Sequence, residues 1–164
     1  MFATHEVMVP ARFEVTAARL ADFRSRGALP DASEAAYTRG LVAGLDAASF
    51  GMLQGLPKLA RVRSAEPVQR HGVITMPLRW EITGAPGELF PVLDADLTLR
   101  RASEIQTRIR LDGSYRAPFT AAAAELGRDV MSRLAVATIG FLLECVADAV
   151  TEPVPPGRRV LSFN

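Results

Sequence analysis

Few side chains in this chain are of a type and spacing that would let them do chemistry together. The two histidines, His5 and His71, fall near the N-terminus and in an Arg70-His71-Gly72 turn. With a single cysteine there is also no thiolate cluster, so neither a metal site nor a cofactor is expected. Cys145 lies on an apolar stripe, where a thiol behaves as a small hydrophobe. A Gly-x-Ser-x-Gly elbow and a phosphate-cradling glycine loop are both missing from the sequence. Asp94 and Asp96 resemble an acid/base pair. Two apart on a strand, however, they share a face with Arg79, Arg108 and Arg110, where opposite charges pair across strands. Tyr115 is left as the sole plausible proton donor. The hydrogen-bonding groups expected on an apolar inner face are the indole of Trp80, the phenol of Tyr115, and the hydroxyls of Thr107 and Thr138. A mostly apolar site with a few polar groups is the chemistry of small-molecule binding.

Those residues need elements to position them. Val7 and Val9 alternate with Glu6 and Met8 before Pro10, which reads as a strand running into a helix. Phe13, Ala17 and Leu20 then recur at helical spacing through Arg24, until Gly27 and Pro30 interrupt. Asp31-Ala32-Ser33-Glu34 has the pattern of a helix start. In the helix that follows, Tyr37, Leu41 and Leu45 share one face. Ala36, Gly40, Gly44 and Ala48 form a stripe of small residues, which predicts close approach of another backbone. If exposed, the same stripe could form a dimer contact.

From Lys58 to Arg116 the period becomes two. Val62 alternates with arginines. Ile74, Met76, Leu78, Trp80 and Ile82 form one apolar row, and Leu93, Ala95, Leu97 and Leu99 form the next. Ile105, Thr107, Ile109, Leu111 and Tyr115 form a third. One face is apolar and the other charged, as in an antiparallel sheet wet on one side. The links Arg70–Gly72, Gly84–Gly87 and Ala102–Glu104 make it a meander. A long helix follows from about Ala124 to Val150, with Val130, Leu134, Phe141 and Cys145 on its apolar flank, widened by Met131, Thr138, Ile139, Leu142 and Val146. Expected inward residues are the small Ala95, Gly113, Thr107 and Thr138 and the large Met76, Trp80, Tyr115, Met131 and Phe141.

Length and composition bound the rest. The chain has 164 residues, 49% hydrophobic and 23% charged, with 19 basic against 18 acidic groups. That favours one domain over residues 1–152, followed by a proline-rich tail over 153–164. A net charge of +1 gives no footprint for nucleic acid. The arginines at 61, 63, 79, 108, 110 and 116 are diluted by acids and lack stacking aromatics. Met1–Glu6 lacks a signal-peptide pattern, and the apolar run near 135–146 is interrupted and shorter than a membrane span. A cytoplasmic location without stable membrane insertion is expected.

The order of elements, together with Val9-Pro10-Ala11, the segments Pro77–Gly84 and Leu89–Leu99, and Gly113-Ser114-Tyr115-Arg116-Ala117-Pro118, resembles the START-like, or SRPBCC, superfamily of polyketide cyclases/dehydrases and lipid-transfer proteins. Pro77–Gly84 and Leu89–Leu99 look like those of uncharacterised actinobacterial members. The resemblance implies an α+β helix-grip fold, in which a curved antiparallel sheet wraps around the C-terminal helix. It also implies a hydrophobic ligand between the two. One departure is that four long strands follow the helices where typical members have six. Met76, Trp80, Ala95, Thr107, Tyr115, Met131, Thr138 and Phe141 are the expected ligand contacts. Three functions follow: a binding or carrier protein, a polyketide cyclase/aromatase-like enzyme with Tyr115 as proton donor, and a protein-interaction module. Either a monomer or a homodimer is compatible with them.

Overall fold

The apolar rows read from the sequence close over one helix. The computed structural model describes residues 2–44, 59–83, 92–116 and 128–151. In chain order these form β1 (Phe2–Val9), α1 (Phe13–Ser25), α2 (Ala28–Gly44), β2 (Leu59–Ser64), β3 (Val68–Arg70), β4 (Val73–Thr83), β5 (Val92–Arg101), β6 (Thr107–Arg116) and α3 (Arg128–Thr151). The strands make one antiparallel six-stranded sheet in the order β1-β6-β5-β4-β2, with β3 also on β4. The curved sheet holds α3 on its inner side, so the helix-grip expectation stands. The Gly84–Gly87 turn, Leu89, Ala48 and residues 153–164 lie outside the described residues.

Two details of the sheet differ from the sequence reading. The hairpin β3–β4 supplies an additional short strand, closed by His71 (φ 49°) and Gly72 (φ 74°). Positive φ at both central residues is the two-residue hairpin geometry that suits the sheet's twist. All three residues of β3 are exposed, so no alternation could announce it. Ile105 is 66% exposed and precedes β6 rather than opening it. Pro77 sits inside β4, where its missing N–H would normally break the ladder. β2 ends opposite Leu78 and β3 begins opposite Thr75, so Pro77 faces the gap between them. There its carbonyl accepts from the Ala65 N–H at 3.0 Å.

The helices also follow local chemistry. Gly27 (φ 69°) supplies the left-handed residue that ends α1. α2 then begins at Ala28 rather than at Asp31. Pro30 is tolerated because the first turn has no partner for its missing N–H, and Asp31 lies in that first turn as a favourable charge near the helix N-terminus. At the other end of the domain, Arg19 donates to the carbonyls of Val150 (2.7 Å) and Thr151 (3.0 Å) and so caps α3.

The core lies between the inner sheet face and the helices. Ala3, Gly113 and Ala95 stand side by side across β1, β6 and β5. A Cβ at Gly113 would come within 3.3 Å of Ile139 Cδ1, so this small-residue row is the groove that seats α3. The α3 segment Ser132–Thr151 is long and apolar enough to cross a membrane, with mean hydropathy 1.8. This corrects the length argument made from the sequence. In the fold 56% of that segment is buried against β1, β6 and α2, which accounts for its composition.

Thr107, expected at a ligand, instead ties the β1–α1 connection to the sheet. Its hydroxyl donates to the Ala11 carbonyl at 2.8 Å, and Thr16 Oγ1 lies 3.3 Å away. Thr16 and Thr107 are both fully buried. Thr107→Val keeps the shape and orphans the Ala11 carbonyl. Urea unfolding is expected to show a loss of about 1–2 kcal/mol; a neutral outcome would mean that water satisfies that carbonyl.

Candidate functional site

α3 lies closest to β1 and β6, and large side chains bridge the interval to β4 and β5. Trp80 on β4, Leu93 on β5 and Tyr115 on β6 come from the sheet, and their strands align them in one cross-strand row. Leu134, Ala135 and Thr138 come from α3, one helical turn apart on the same face. Tyr37 on α2 and Glu81 also line it. The space between these residues is about 20 Å³, room for a single water-sized group.

The polar groups here are differently placed. Tyr37 meets Trp80 edge to face, with ring centroids 5.9 Å apart at 79°, a favoured aromatic geometry. The Trp80 indole Nε1 is buried, and no acceptor among the described residues reaches it. The Thr138 hydroxyl donates to the Leu134 carbonyl at 2.7 Å, so its proton is already used within the helix. Glu81 carries the one charge among these lining residues. Its carboxylate lies 3.5 Å from Arg63 and 3.7 Å from Arg79.

Burial pushes the Tyr37 phenol well above the ordinary tyrosine range, so the group is neutral and a donor at any physiological pH. A raised folded-state pKa contributes stability below the unfolded pKa near 10, and that contribution is lost as pH climbs. The expected loss from this group is about 1.4 kcal/mol per pH unit above pH 10. Tyr37→Phe should therefore flatten the alkaline limb of a stability-versus-pH curve relative to wild type. Parallel limbs in the two proteins would show that Tyr37 ionises freely.

Of the eight expected contact residues, three meet at this cavity: Trp80, Tyr115 and Thr138. Met76 is buried in the core four residues back along β4, about 13 Å away. Ala95 belongs to the groove under Ile139. Thr107 sits eight residues from Tyr115 on β6, about 27 Å off. Phe141 is half-buried at the α2–α3 crossing, with the Arg39 guanidinium 4.2 Å over its ring. Met131 lies in the first turns of α3, and its side chain is outside the described residues. Tyr37, Leu93, Leu134, Ala135 and Glu81 were not anticipated. Tyr37 gave no signal because which helix face meets the sheet is not written in helical spacing. Glu81, assigned to the outer face by alternation, reaches the lining beside Trp80 while its carboxylate stays with Arg63 and Arg79 on that outer face.

Other groups fall into structural roles. Asp94 pairs with Arg79 and Arg116, each at 3.2 Å, as cross-strand pairing predicts. A hydrogen bond from Arg110 holds the Asp112 carboxyl below its ordinary range. Arg79, Asp94 and Asp112 line an open trough of about 700 Å³ on the outer sheet face. Being wide and solvent-filled, it offers a ligand little burial. Cys145 is half-buried, and desolvation raises its pKa, which keeps the thiol protonated. His5 lies on β1 against Gly140, and His71 is in the β3–β4 turn. Among the described residues no three potential metal ligands cluster.

No protein-family model matches the chain, and no curated protein does. Among solved structures it is similar to a conserved protein from Geobacillus kaustophilus, with a TM-score of 0.52 and 11% identity over 92% of this chain and 95% of that one. Lower scores are reached with a Thermus thermophilus protein, TTHA0849 (TM-score 0.44, 14% identity, 92% and 97% covered). Another such structure is the Zhui aromatase/cyclase from Streptomyces sp. R1128 (TM-score 0.41, 12% identity, 90% and 94% covered). The Geobacillus protein shares the fold, and at this identity the likeness concerns architecture alone.

Proposed function

We propose that the protein binds or carries a predominantly apolar small molecule between the inner sheet face and α3, in the cytoplasm, as a monomer or homodimer. The observation that carries this reading is the buried indole N–H of Trp80, without an acceptor among the described residues, beside a cavity also lined by Leu93, Leu134 and Ala135. Leaving a buried donor unmade costs about 1–3 kcal/mol, and a ligand with an acceptor removes that cost. At about 20 Å³ the ligand-free space holds one group, so a larger molecule enters by moving the rotamers of Leu93 and Leu134.

Equilibrium titration with a neutral environment-sensitive naphthyl fluorophore, and solvent extraction of the purified protein, test this. One molecule per chain is expected, with binding lost in Ala135→Phe, which fills the space from α3. Absence of binding up to the solubility limit would end the proposal.

A second reading, a cyclase-like enzyme in the same cavity, would use the phenols of Tyr37 and Tyr115 on the lining as proton donors. Tyr37→Phe and Tyr115→Phe should then abolish turnover of a poly-carbonyl substrate while leaving its binding intact. Unchanged turnover in both would exclude the enzyme. Of the small-residue stripe on which an interaction module would rest, Ala36 is fully buried and Gly40 lies against Thr138.

A further inference from the structure

We infer that the ligand is an uncharged molecule whose hydrogen-bond acceptor oxygen, a ketone or ester carbonyl, is held by the Trp80 indole N–H. This rests on the binding role proposed above and specifies what is bound. Trp80 is 6% exposed, and its Nε1 has no acceptor among the described residues. Indole N–H only donates, so its natural complement is an acceptor. The adjoining space of about 20 Å³ is the size of one oxygen-bearing group. A carbonyl meets the indole N–H without bringing a proton of its own, whereas a ligand hydroxyl brings a donor that needs a further buried acceptor.

Charge decides against an anion. Among the described residues the lining contains no cation, and its one charged residue, Glu81, turns its carboxylate to Arg63 and Arg79 on the outer face. A fatty-acid carboxylate at Trp80 would be desolvated without a counter-ion. The same head group as a methyl ester or ketone carries no such penalty.

Trp80 is the only tryptophan in the chain, so a ¹⁵N-labelled sample shows one indole N–H resonance. That resonance is followed while heptyl methyl ketone, methyl octanoate, octane or octanoate is added. The ketone and ester are expected to bind and move the indole proton downfield, with octane and octanoate at least about tenfold weaker, the equivalent of one hydrogen bond to a well-placed donor. Replacing the indole by benzothienylalanine keeps the two-ring shape and removes the N–H. It should bring the ketone down to the affinity of octane, read by calorimetry. Equal binding of ketone and octane with an unmoved resonance would overturn the inference and leave the binding role standing. So would octanoate binding as well as the ester, or a resonance already at a hydrogen-bonded position without ligand and unchanged on addition, the sign of a resident water. Failure of all four compounds to bind would remove the binding role itself, and this inference with it.

Discussion

Leu134→Ala is expected to cost about 2–5 kcal/mol of stability and, in the same protein, to increase the affinity for apolar probes. Leu134 is 2% exposed and forms the α3 wall of the cavity facing Trp80, Leu93 and Tyr115. Truncation loses the transfer free energy of the removed carbons and adds their volume to a space that already exists, so collapse recovers little. An enlarged apolar cavity stays dry and accepts aromatic-sized compounds. Urea unfolding with and without toluene reads both effects, because a ligand at a hundred times its Kd restores about 2.7 kcal/mol. Leu143→Ala is the control. Leu143 is equally buried on α3 and is not among the residues lining the cavity, so a similar stability loss is expected without the gain in toluene binding. A loss below about 1 kcal/mol in Leu134→Ala would contradict the packing described. Equal toluene binding by both variants would mean that the cavity has no special capacity.

Gly40→Ala is expected to destabilise the fold by about 2–3 kcal/mol, although alanine is the better helix former by about 1 kcal/mol. A Cβ at position 40 would overlap Thr138 Oγ1 and lie 3.0 Å from its Cβ and 3.1 Å from its Cα. The hydroxyl is anchored to Leu134, and the Cα is backbone, so rotation cannot relieve the overlap. α2 and α3 must separate. That displaces Leu41 and Tyr37 from the core, and with Tyr37 the aromatic contact that orients Trp80. Thr138→Ala in the same chain removes the shortest of the three overlaps. It should recover part of the loss, with a coupling of about 1 kcal/mol or more. A Gly40→Ala protein as stable as wild type would show that the helices cross farther apart.

The sheet was legible before any coordinates because its signal is local. On β4–β6 alternation names the inner row residue by residue, and Met76, Leu78, Trp80, Leu97, Leu99, Ile109 and Leu111 are all buried as read. The small stripe on α2 also announced a close backbone neighbour, and Gly40 has one. The helices were less legible. On α3 Gly140 is buried near His5 of β1, and Leu143, unremarked in the sequence, is fully buried. A core helix touched on several sides has an apolar arc too wide for its spacing to point in one direction. Pro30 and Asp31 read as a break and a cap because proline's tolerance in a first turn depends on where the turn begins.

The site shows the same division. Alternation alone established that Trp80 and Tyr115 face inward, since side-chain direction on a strand is dictated by the backbone pleat. It did not establish that Thr107 lies at the far end of the grip, that Gly113 beside Ala95 meets Ile139, or that Tyr37 and Leu134 close the space around Trp80. Those depend on where α2 and α3 cross the sheet. Close packing among residues far apart in sequence sets that crossing, and no periodicity within a single element records it.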